Sequence, residues 1–390
     1  MQRNNVSPEM QHIVVVTGEL SGEIHAAELV KSLKRSIAVE ISGIGSQRLR
    51  DEGMNTIYDY RNISLTGLSE IFSKLHHIKD AYRRLKEHIG QTRPSLLILV
   101  DFPGFNLKVA RFAKKMGIPT IYFIPPQIWA WRKKRILRIK RYIDKVICVL
   151  PFEKKLYEEH GIDAAYIGHP FVSTVKPAST RDDFFRKTGI EKGCTVITIM
   201  PGSRENEILR HMPVLLKSIE KIKERVQRLA VLLPLADNID GPVIERFSKE
   251  LQDCIVIRGQ SYDALAHCDL AIVSSGSATL EAAILGTPTI VIYRISWFSY
   301  LIARMLVTIK HISLPNIIAG KEVFPEFIQH IPPEKIAEKA LYMINNGKDS
   351  IKKDIDEILA RLGHYNSYEL AKDIVIDFLE KRHDTIPETA

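Results

Sequence analysis

Short apolar runs alternate with amphipathic segments along almost the whole chain, in two successive series. In the first series the runs are HIVVVT, VEISGI, SLLILVD, IPTIYFI and KVICVL. In the second series, which begins near residue 195, they are TVITIM, LAVLLP, CIVIR, DLAIV and PTIVIY. Strands that alternate with helices are typical of βαβ units, which pack as parallel sheets. The pattern therefore predicts an α/β chain with two such sheets.

The stretch IGHPFVSTVKPASTRDD lies between the two series and is the best candidate for a linker, because it combines two prolines with a polar cluster. A chain of 390 residues is also longer than one ordinary core supports. We therefore expect two Rossmann-like domains that face a cleft, one over 1–172 and one over 173–365. The sequence leaves open whether the C-terminal helix, 366–390, packs on the first domain.

Composition limits the class of protein and its partners. The chain is 45% hydrophobic and 26% charged, and no apolar run approaches the roughly 18 residues of a membrane span. No secretory signal is visible at the N-terminus. The four cysteines form no C-x-x-C pair, which favours reduced thiols in a cytoplasmic protein. The net charge of +9 indicates an anionic partner, which could be nucleic acid, a membrane surface or a phosphorylated small molecule.

The first apolar run passes through Gly18 and Gly22 into a helical pattern. These glycines allow a ligand to approach the backbone, but their spacing is neither the dinucleotide fingerprint nor the P-loop. A carboxylate repels phosphate, so Glu19 favours contact with sugar hydroxyls instead. The alternative is an ordinary βα turn with Ser21 as the helix N-cap.

The run SLLILVDFPGFN ends an apolar strand on Asp101, and Pro-Gly follows almost at once. Strand ends of such sheets open toward the ligand, so a carboxylate there can act as a general base. Asn106 is expected to start the next helix. The alternative is Asp101 as a turn residue, and His25 is the rival base.

Two turns of the second series have the character of an anion site. In IMPGSRENEI, Gly202 and Ser203 offer backbone donors and Arg204 a cationic fork suited to a diphosphate. In IVSSGSATLEAAILGTP, small polar groups at a helix start suit a pyrophosphate, and Glu281 suits the two hydroxyls of a ribose. These small residues are Ser274, Ser275, Gly276, Ser277 and Thr279. The alternatives are a plain βα turn and a well-capped helix.

Three further stretches are ambiguous from their residues alone. The segment 124–145 holds eight basic residues after Trp129 and Trp131, which fits a solvated helix face, nucleic acid or anionic lipid. One apolar helical stripe within 63–80 is typical of core packing, although partial exposure would allow reversible membrane attachment. The stripe consists of Leu68, Ile71, Phe72, Leu75 and Ile78. The loop-like stretch 311–329 contains Asn316, Glu326 and Gln329.

Taken together, these motifs resemble the lipid-A-disaccharide synthase family. The matching motifs, in the family's order, are G-E-x-S-G at 18–22, D-F-P-G-F-N at 101–106, P-Q-I-W-A-W-R at 126–132, P-G-S-R at 201–204, S-G-S-A-T-L-E at 275–281 and L-P-N-I-I-A at 314–319. Each motif is weak alone, but the combination is highly specific and extends from about residue 12 to residue 330. The chain departs from the family at Glu23, where Asp is usual.

The resemblance implies an inverting glycosyltransferase with the type B fold, acting in lipid A biosynthesis. It would join UDP-2,3-diacylglucosamine to 2,3-diacylglucosamine 1-phosphate and release UDP, without a metal or another cofactor. The first domain would hold the acceptor, with Asp101 as the base, and the second would hold UDP. The helix at 65–78 and the basic run at 132–145 would contact anionic lipid on the cytoplasmic face of the inner membrane. The sequence does not determine whether the protein forms a homo-oligomer.

The residues expected to bind the substrates come from all of these motifs. They are Gly18, Glu19, Ser21, Gly22, Asn106, Gln127, Trp129, Arg132, Gly202, Ser203, Arg204, Ser275, Gly276, Ser277, Thr279, Glu281, Asn316, Glu326 and Gln329. Two alternatives remain at this point. One is another UDP-N-acetylglucosamine-dependent type B glycosyltransferase or epimerase. The other is a basic nucleic-acid-binding protein that uses 129–145, which would leave 274–281 without a purpose.

Overall fold

The computed structural model describes residues 10–63, 70–129, 134–236, 239, 241–297, 300, 304, 309–346, 349–363 and 366–383. The chain divides into two compact units. The first comprises Met1–Pro170 and Tyr365–Ala390, and the second comprises Phe171–His364. The sequence places this boundary between residues 172 and 173.

The first unit is an α/β sheet domain. Its strands are β1 (Gln11–Val16), β2 (Val39–Gly45), β3 (Asn55–Asp59), β4 (Leu96–Val100), β5 (Thr120–Phe123), β6 (Lys145–Cys148) and β7 (Ala164–Tyr166). Its helices up to the boundary are α1 (Leu20–Ser36), α2 (Gln47–Asp51), α3 (Glu70–Thr92), α4 (Pro103–Lys115), α5 (Arg135–Tyr142) and α6 (Pro151–Glu158), with a 3-10 turn at Tyr60–Asn62. Among the described residues the sheet has seven parallel strands in the order β3-β2-β1-β4-β5-β6-β7.

The second unit repeats this architecture. Its strands are β8 (Thr195–Met200), β9 (Leu229–Leu235), β10 (Cys254–Arg258), β11 (Leu270–Ser274), β12 (Thr289–Tyr293) and β13 (Glu326–Ile328). Its described helices are α7 (Phe171–Thr174), α8 (Arg181–Thr188), α9 (Glu205–Lys223), α10 (Gly241–Glu245), α11 (Ser261–His267), α12 (Ser277–Ile284), α13 (Leu314–Ala319), α14 (Pro333–Asn346) and α15 (Asp349–Leu362). The described residues form a parallel sheet of six strands in the order β10-β9-β8-β11-β12-β13.

In each sheet, the order in which successive strands are added changes direction once, and the motifs lie at this switch point. In the first unit the reversal lies between β1 and β4, and in the second between β8 and β11. Ligands of open α/β sheets bind beyond the carboxyl ends of the strands at such switch points. The turns after these four strands are the four that the sequence singled out, at 18–22, 101–106, 201–204 and 275–281.

The apolar runs correspond to strands in the structure because central parallel strands are buried on both faces. In β4 all five residues are buried. Three strands that the sequence analysis did not identify, β3, β7 and β13, each lie at an edge of a sheet. Edge strands can be short and polar, so they lack a continuous apolar pattern. The stretch 311–329 is likewise not a loop throughout, since it contains α13 and β13.

The last helix that the structure describes belongs to the first unit. This helix, α16 (Ser367–His383), packs against α1. The hydroxyl of Tyr368 lies 2.9 Å from Nδ1 of His25. No described helix combines the length and hydropathy that crossing a bilayer would require. All four cysteines lie in the described part of the chain and are free thiols.

Glu23, the residue that departs from the family pattern, has a structural role. Its side chain is buried on α1 and accepts hydrogen bonds from the backbone N–H groups of Ser46 and Leu49, at the start of α2. It also accepts a hydrogen bond of 3.1 Å from the hydroxyl of Tyr60. A carboxylate at a helix N-terminus satisfies donors that the helix leaves unpaired.

Replacement of this carboxylate should destabilise the first unit. In Glu23→Ala, buried donors lose their acceptor, and we expect the free energy of unfolding to fall by about 2–4 kcal/mol. Urea denaturation measures this change. The control is Glu28→Ala, at an exposed position on the same helix, which should change stability little. Equal stability of the two variants would contradict the assigned role of Glu23.

Candidate active site

The turn after β4 holds Asp101 in an uncommon backbone conformation. Asp101 and Phe102 both have left-handed φ angles, of 47° and 44°. Non-glycine residues rarely adopt this region, and it persists only where the surroundings hold it. Helix α4 begins at the next residue, Pro103, whose fixed φ suits the first helical turn. The sharp turn thus leads directly from a buried strand into a helix.

Two buried side chains hold this turn through the Asp101 carbonyl. The carbonyl oxygen accepts hydrogen bonds of 2.7 Å from both the Tyr122 hydroxyl and the Asn106 amide. The same amide donates to the carbonyl of Val100, at 3.1 Å. Asn106 does not start α4, because it lies within the helix and is fully buried there. Its described hydrogen bonds support the turn.

The turn after β1 packs directly on this turn. A Cβ atom added to Gly18 would lie 2.1 Å from Cγ of Phe102, closer than any real contact. A Cβ added to Gly22 would lie at an ordinary 3.8 Å from Cβ of Asp101. The absence of a side chain at Gly18 therefore allows the two turns to approach. The N-cap of α1 is Glu19, and the Ser21 hydroxyl donates to its Oε1 at 2.7 Å, so Ser21 is not the N-cap.

This approach brings two carboxyl groups together. Burial raises the pKa of Asp101 to about 8, together with the hydrogen bond to Glu19 and the negative charge of that residue. The positive charge of Arg135 opposes this shift. A neighbouring negative charge and a buried site both disfavour ionisation of a carboxyl group. Protonated Asp101 can therefore donate a hydrogen bond to Glu19.

His25, the rival base, lies about one and a half turns after the start of α1. Burial lowers the pKa of its imidazole to about 4, so it is neutral at physiological pH. Its Nδ1 faces the Tyr368 hydroxyl of α16. These contacts place His25 at the packing of two helices, and its role as a base stays a prediction.

The loop after β5 contains two predicted residues that the structure describes. Gln127 is exposed, whereas the indole N–H of Trp129 donates to Oε1 of Glu153 at 3.0 Å. Burial raises the pKa of Glu153 to about 7. Glu153 lies in the first turn of α6, and its isolated position in the sequence gave no sign of this contact. Arg132 lies outside the described residues.

In the second unit, the turn after β8 is shaped by Glu207 of α9. Gly202 has a φ of 131°, and a Cβ there would lie 2.6 Å from Cβ of Glu207. The Glu207 carboxylate accepts a hydrogen bond from the backbone N–H of Ser203 at 3.1 Å and pairs with Arg204 at 3.5 Å. The Arg204 side chain is 69% exposed. Glu207 therefore holds the backbone of the turn, while the Arg204 side chain faces solvent.

The turn after β11 begins α12. The hydroxyl of Ser275 donates to the carbonyl of Ile312 at 3.2 Å, and that of Thr279 to the carbonyl of Gly276 at 2.8 Å. Gly276 and Ser277 are exposed at the helix start. Burial raises the pKa of Glu281 to about 7, although a hydrogen bond from Ser277 opposes this.

Three predicted binding residues form hydrogen bonds within the second unit. Asn316 is fully buried, and its amide group pairs with the backbone of Val323 and Phe324 and with Glu326. The Glu326 carboxylate accepts from the backbone of residues 312 and 313. Both side chains therefore hold the start of α13 in place.

Gln329 supports a different segment. Its amide group accepts from the N–H of Ile295 and donates to the carbonyl of the same residue, at 3.2 and 3.1 Å. Gln329 itself has a left-handed φ of 63°. For Asn316, Glu326 and Gln329, contact with a substrate stays a prediction.

Among the described residues, no group of three or more His, Cys, Asp or Glu side chains is arranged to hold a metal ion. In α15, Asp354 begins the sequence Asp-Ile-Asp and forms an ion pair with Lys321.

Comparison with known proteins assigns the family. The family profile described as lipid-A-disaccharide synthetase matches residues 13–377. The lipid-A-disaccharide synthase of Syntrophus aciditrophicus is 40% identical over 375 residues, which cover 95% of this chain and 98% of that protein. The chain belongs to the lipid-A-disaccharide synthetase family. It is therefore a glycosyltransferase of lipid A biosynthesis, and the resemblance noted in its motifs is confirmed.

Solved structures confirm the fold class. The Staphylococcus aureus MnaA structure with UDP aligns with a TM-score of 0.64 and 15% identity, covering 98% of this chain and 99% of that one. The calicheamicin glycosyltransferase CalG4 aligns with a TM-score of 0.59 and 13% identity, covering 97% and 100%. At these identities the likeness shows the fold alone, which is that of type B glycosyltransferases. The relatives do not favour the epimerase or the nucleic-acid alternative.

The contact between the two turns of the first unit should be essential for activity in this family member. In Gly18→Ala the new methyl group displaces the Phe102 ring and with it Asp101, so we expect turnover to fall by roughly a hundredfold. Steady-state rates measure the loss, and circular dichroism checks that the variant is folded. The control is Gly104→Ala, which lies two residues beyond Phe102 and where a Cβ would meet nothing within 4 Å. Near-normal turnover of Gly18→Ala would contradict this account.

Proposed function

We propose that the protein condenses UDP-2,3-diacylglucosamine with 2,3-diacylglucosamine 1-phosphate to give the lipid A disaccharide 1-phosphate and UDP. The observation that best supports a role in catalysis is the Glu19–Asp101 pair at the switch point of the first sheet. A carboxyl group whose pKa lies near working pH is an efficient general base. The Syntrophus aciditrophicus relative supplies the reaction, since it is a lipid-A-disaccharide synthase.

The proposed step is a single displacement with inversion at the anomeric carbon of the donor sugar. The 6-hydroxyl oxygen of the acceptor forms the new bond to this carbon while the bond to the UDP oxygen breaks. The hydroxyl proton passes to the ionised carboxylate of Asp101. The electron pair of the broken bond leaves with UDP, so the acceptor alcohol is activated as negative charge grows on the leaving group.

The second unit would meet this charge. Arg204 is exposed beside a turn that Glu207 already holds in shape. The open start of α12, at Gly276 and Ser277, presents backbone N–H groups. Fixed donors directed at developing charge stabilise a transition state without reorganisation. Glu281, in the same helix, would accept hydrogen bonds from the ribose hydroxyls.

Membrane contact is part of the proposal because both substrates carry acyl chains. Leu75 of α3 is 39% exposed and Leu137 of α5 is 65% exposed. Arg138 and Arg141 are exposed on the same short helix as Leu137. Apolar side chains beside basic ones suit an anionic bilayer surface, here the cytoplasmic face of the inner membrane. Of the other predicted contacts, Leu68 and the side chains of Ile71 and Phe72 lie outside the described residues.

The proposed reaction is tested by mass spectrometry of the products. Purified protein is incubated with both acylated substrates, and in parallel with UDP-N-acetylglucosamine as a non-acylated donor. We expect the tetra-acyl disaccharide 1-phosphate in the first incubation alone. A transfer product or a C2 epimer from the non-acylated donor, with no disaccharide from the acylated one, would contradict the proposal.

The acid pair should set the pH dependence of the reaction. Because the pKa of Asp101 is raised to about 8, kcat/KM should rise with pH and level off above about 8. Glu19→Gln removes the neighbouring charge, so the pKa of Asp101 falls and the inflection moves to lower pH. Asp101→Asn should lose about 100- to 10,000-fold in turnover. An inflection that stays in place in Glu19→Gln would contradict this effect of Glu19 on the pKa of Asp101.

A further inference from the structure

A buried histidine connects two loops of the second unit. His211 lies in the second turn of α9 and is fully buried. Its Nδ1 is 2.6 Å from the carbonyl oxygen of Pro201, and its Nε2 is 2.9 Å from the backbone nitrogen of Arg294. Pro201 opens the turn after β8, and Arg294 is the first residue after β12. One imidazole therefore bridges two segments that are far apart in sequence.

The partners of this ring fix its protonation. A carbonyl oxygen can only accept a hydrogen bond, and a backbone N–H can only donate one. The imidazole is therefore neutral, with its proton on Nδ1 and the lone pair of Nε2 directed at Arg294. Burial lowers the pKa of His211, which favours this neutral form, although Glu207 opposes the shift. The ring of Tyr293 lies 6.1 Å away.

The bridge runs across the carboxyl end of the sheet. Strands β8, β11 and β12 are neighbours in that order. His211 joins the turns after the two outer strands, and the backbone N–H of Ser275, after β11, donates to the carbonyl of Ile292 in β12. The next residue after Arg294, Ile295, is held by Gln329. The segments that follow these three strands are thus connected to one another.

The turn after β8 is held from two sides. Glu207 binds the N–H of Ser203 and limits the space beside Gly202. His211 binds the carbonyl of Pro201, one residue before Gly202. Both side chains come from α9, one turn apart, so the helix positions the backbone of the turn through two fixed hydrogen bonds.

We propose that His211 is a positioning residue for nucleotide diphosphate binding. It holds the Pro201–Arg204 turn in the conformation that receives the diphosphate and couples this turn to the segment after β12. The inference rests on the proposed function, because it takes that turn to be the diphosphate site. His211 itself does not touch the substrate.

The test is UDP affinity, measured by calorimetry on the full-length protein. His211→Leu keeps the approximate volume but removes both hydrogen bonds, and we expect the dissociation constant of UDP to rise roughly tenfold. His211→Gln offers an amide donor and acceptor, so its affinity should lie between those of His211→Leu and wild type. In steady-state kinetics the KM for the donor should rise more than kcat falls.

Two further variants separate the possible outcomes. Ile219→Val removes a methyl group from the buried face of the same helix and should bind UDP as wild type does. Arg204→Ala should weaken UDP binding if the turn holds the diphosphate. Failure of wild type to bind UDP, or unchanged binding by Arg204→Ala, would contradict the proposed function and the inference with it.

The inference alone fails if Arg204→Ala weakens binding while His211→Leu binds UDP as tightly as Ile219→Val. Where His211→Leu does not fold, His211→Gln decides. Reduced UDP affinity in that folded variant supports the role of His211, and wild-type affinity overturns it.

Discussion

The site of the first unit depends on the absence of a side chain at Gly18. The ring of Phe102 occupies the space where a Cβ would lie, and this contact brings the turn after β1 onto the turn after β4. Phe102 and Asp101 adopt left-handed conformations there, which Tyr122 and Asn106 hold through the Asp101 carbonyl. The backbone strain thereby places one carboxyl beside another. The raised pKa of Asp101 follows from its burial and from this placement.

The turns of the second unit are also held in fixed conformations, but by different contacts. Its turns are shaped by side chains from the helices and loops behind them, including Glu207, His211 and Gln329. These groups bind the protein backbone, and Glu207 also pairs with the exposed Arg204 side chain. The start of α12 is exposed to solvent. Preorganised donors of this kind need no rearrangement when charge develops on a leaving group. The division suits the proposed reaction, in which the first unit would activate an alcohol and the second would bind a diphosphate.

Much of the fold follows from the sequence because central strands such as β4 are apolar throughout. The positions of Glu19, Asp101, Arg204 and Glu281 at strand ends and helix starts follow for the same reason. The edge strands β3, β7 and β13 could not be predicted, since short segments such as AAY and EFI have no periodicity to read. The raised pKa of Asp101 could not be predicted either, because it depends on two φ angles and on the space beside Gly18. Buried supports such as His211 and Glu153 resemble ordinary helix residues until their partners are known.

The central claim is that Asp101 holds a proton at neutral pH because its carboxyl group is buried and Glu19 lies beside it. A carbon-13 NMR titration of the Asp101 carboxyl, assigned by comparison with Asp101→Asn, measures this directly. The account predicts that this carboxyl ionises near pH 8 rather than at the ordinary value of 3.8. Ionisation of Asp101 near 3.8 in the wild-type protein would contradict it.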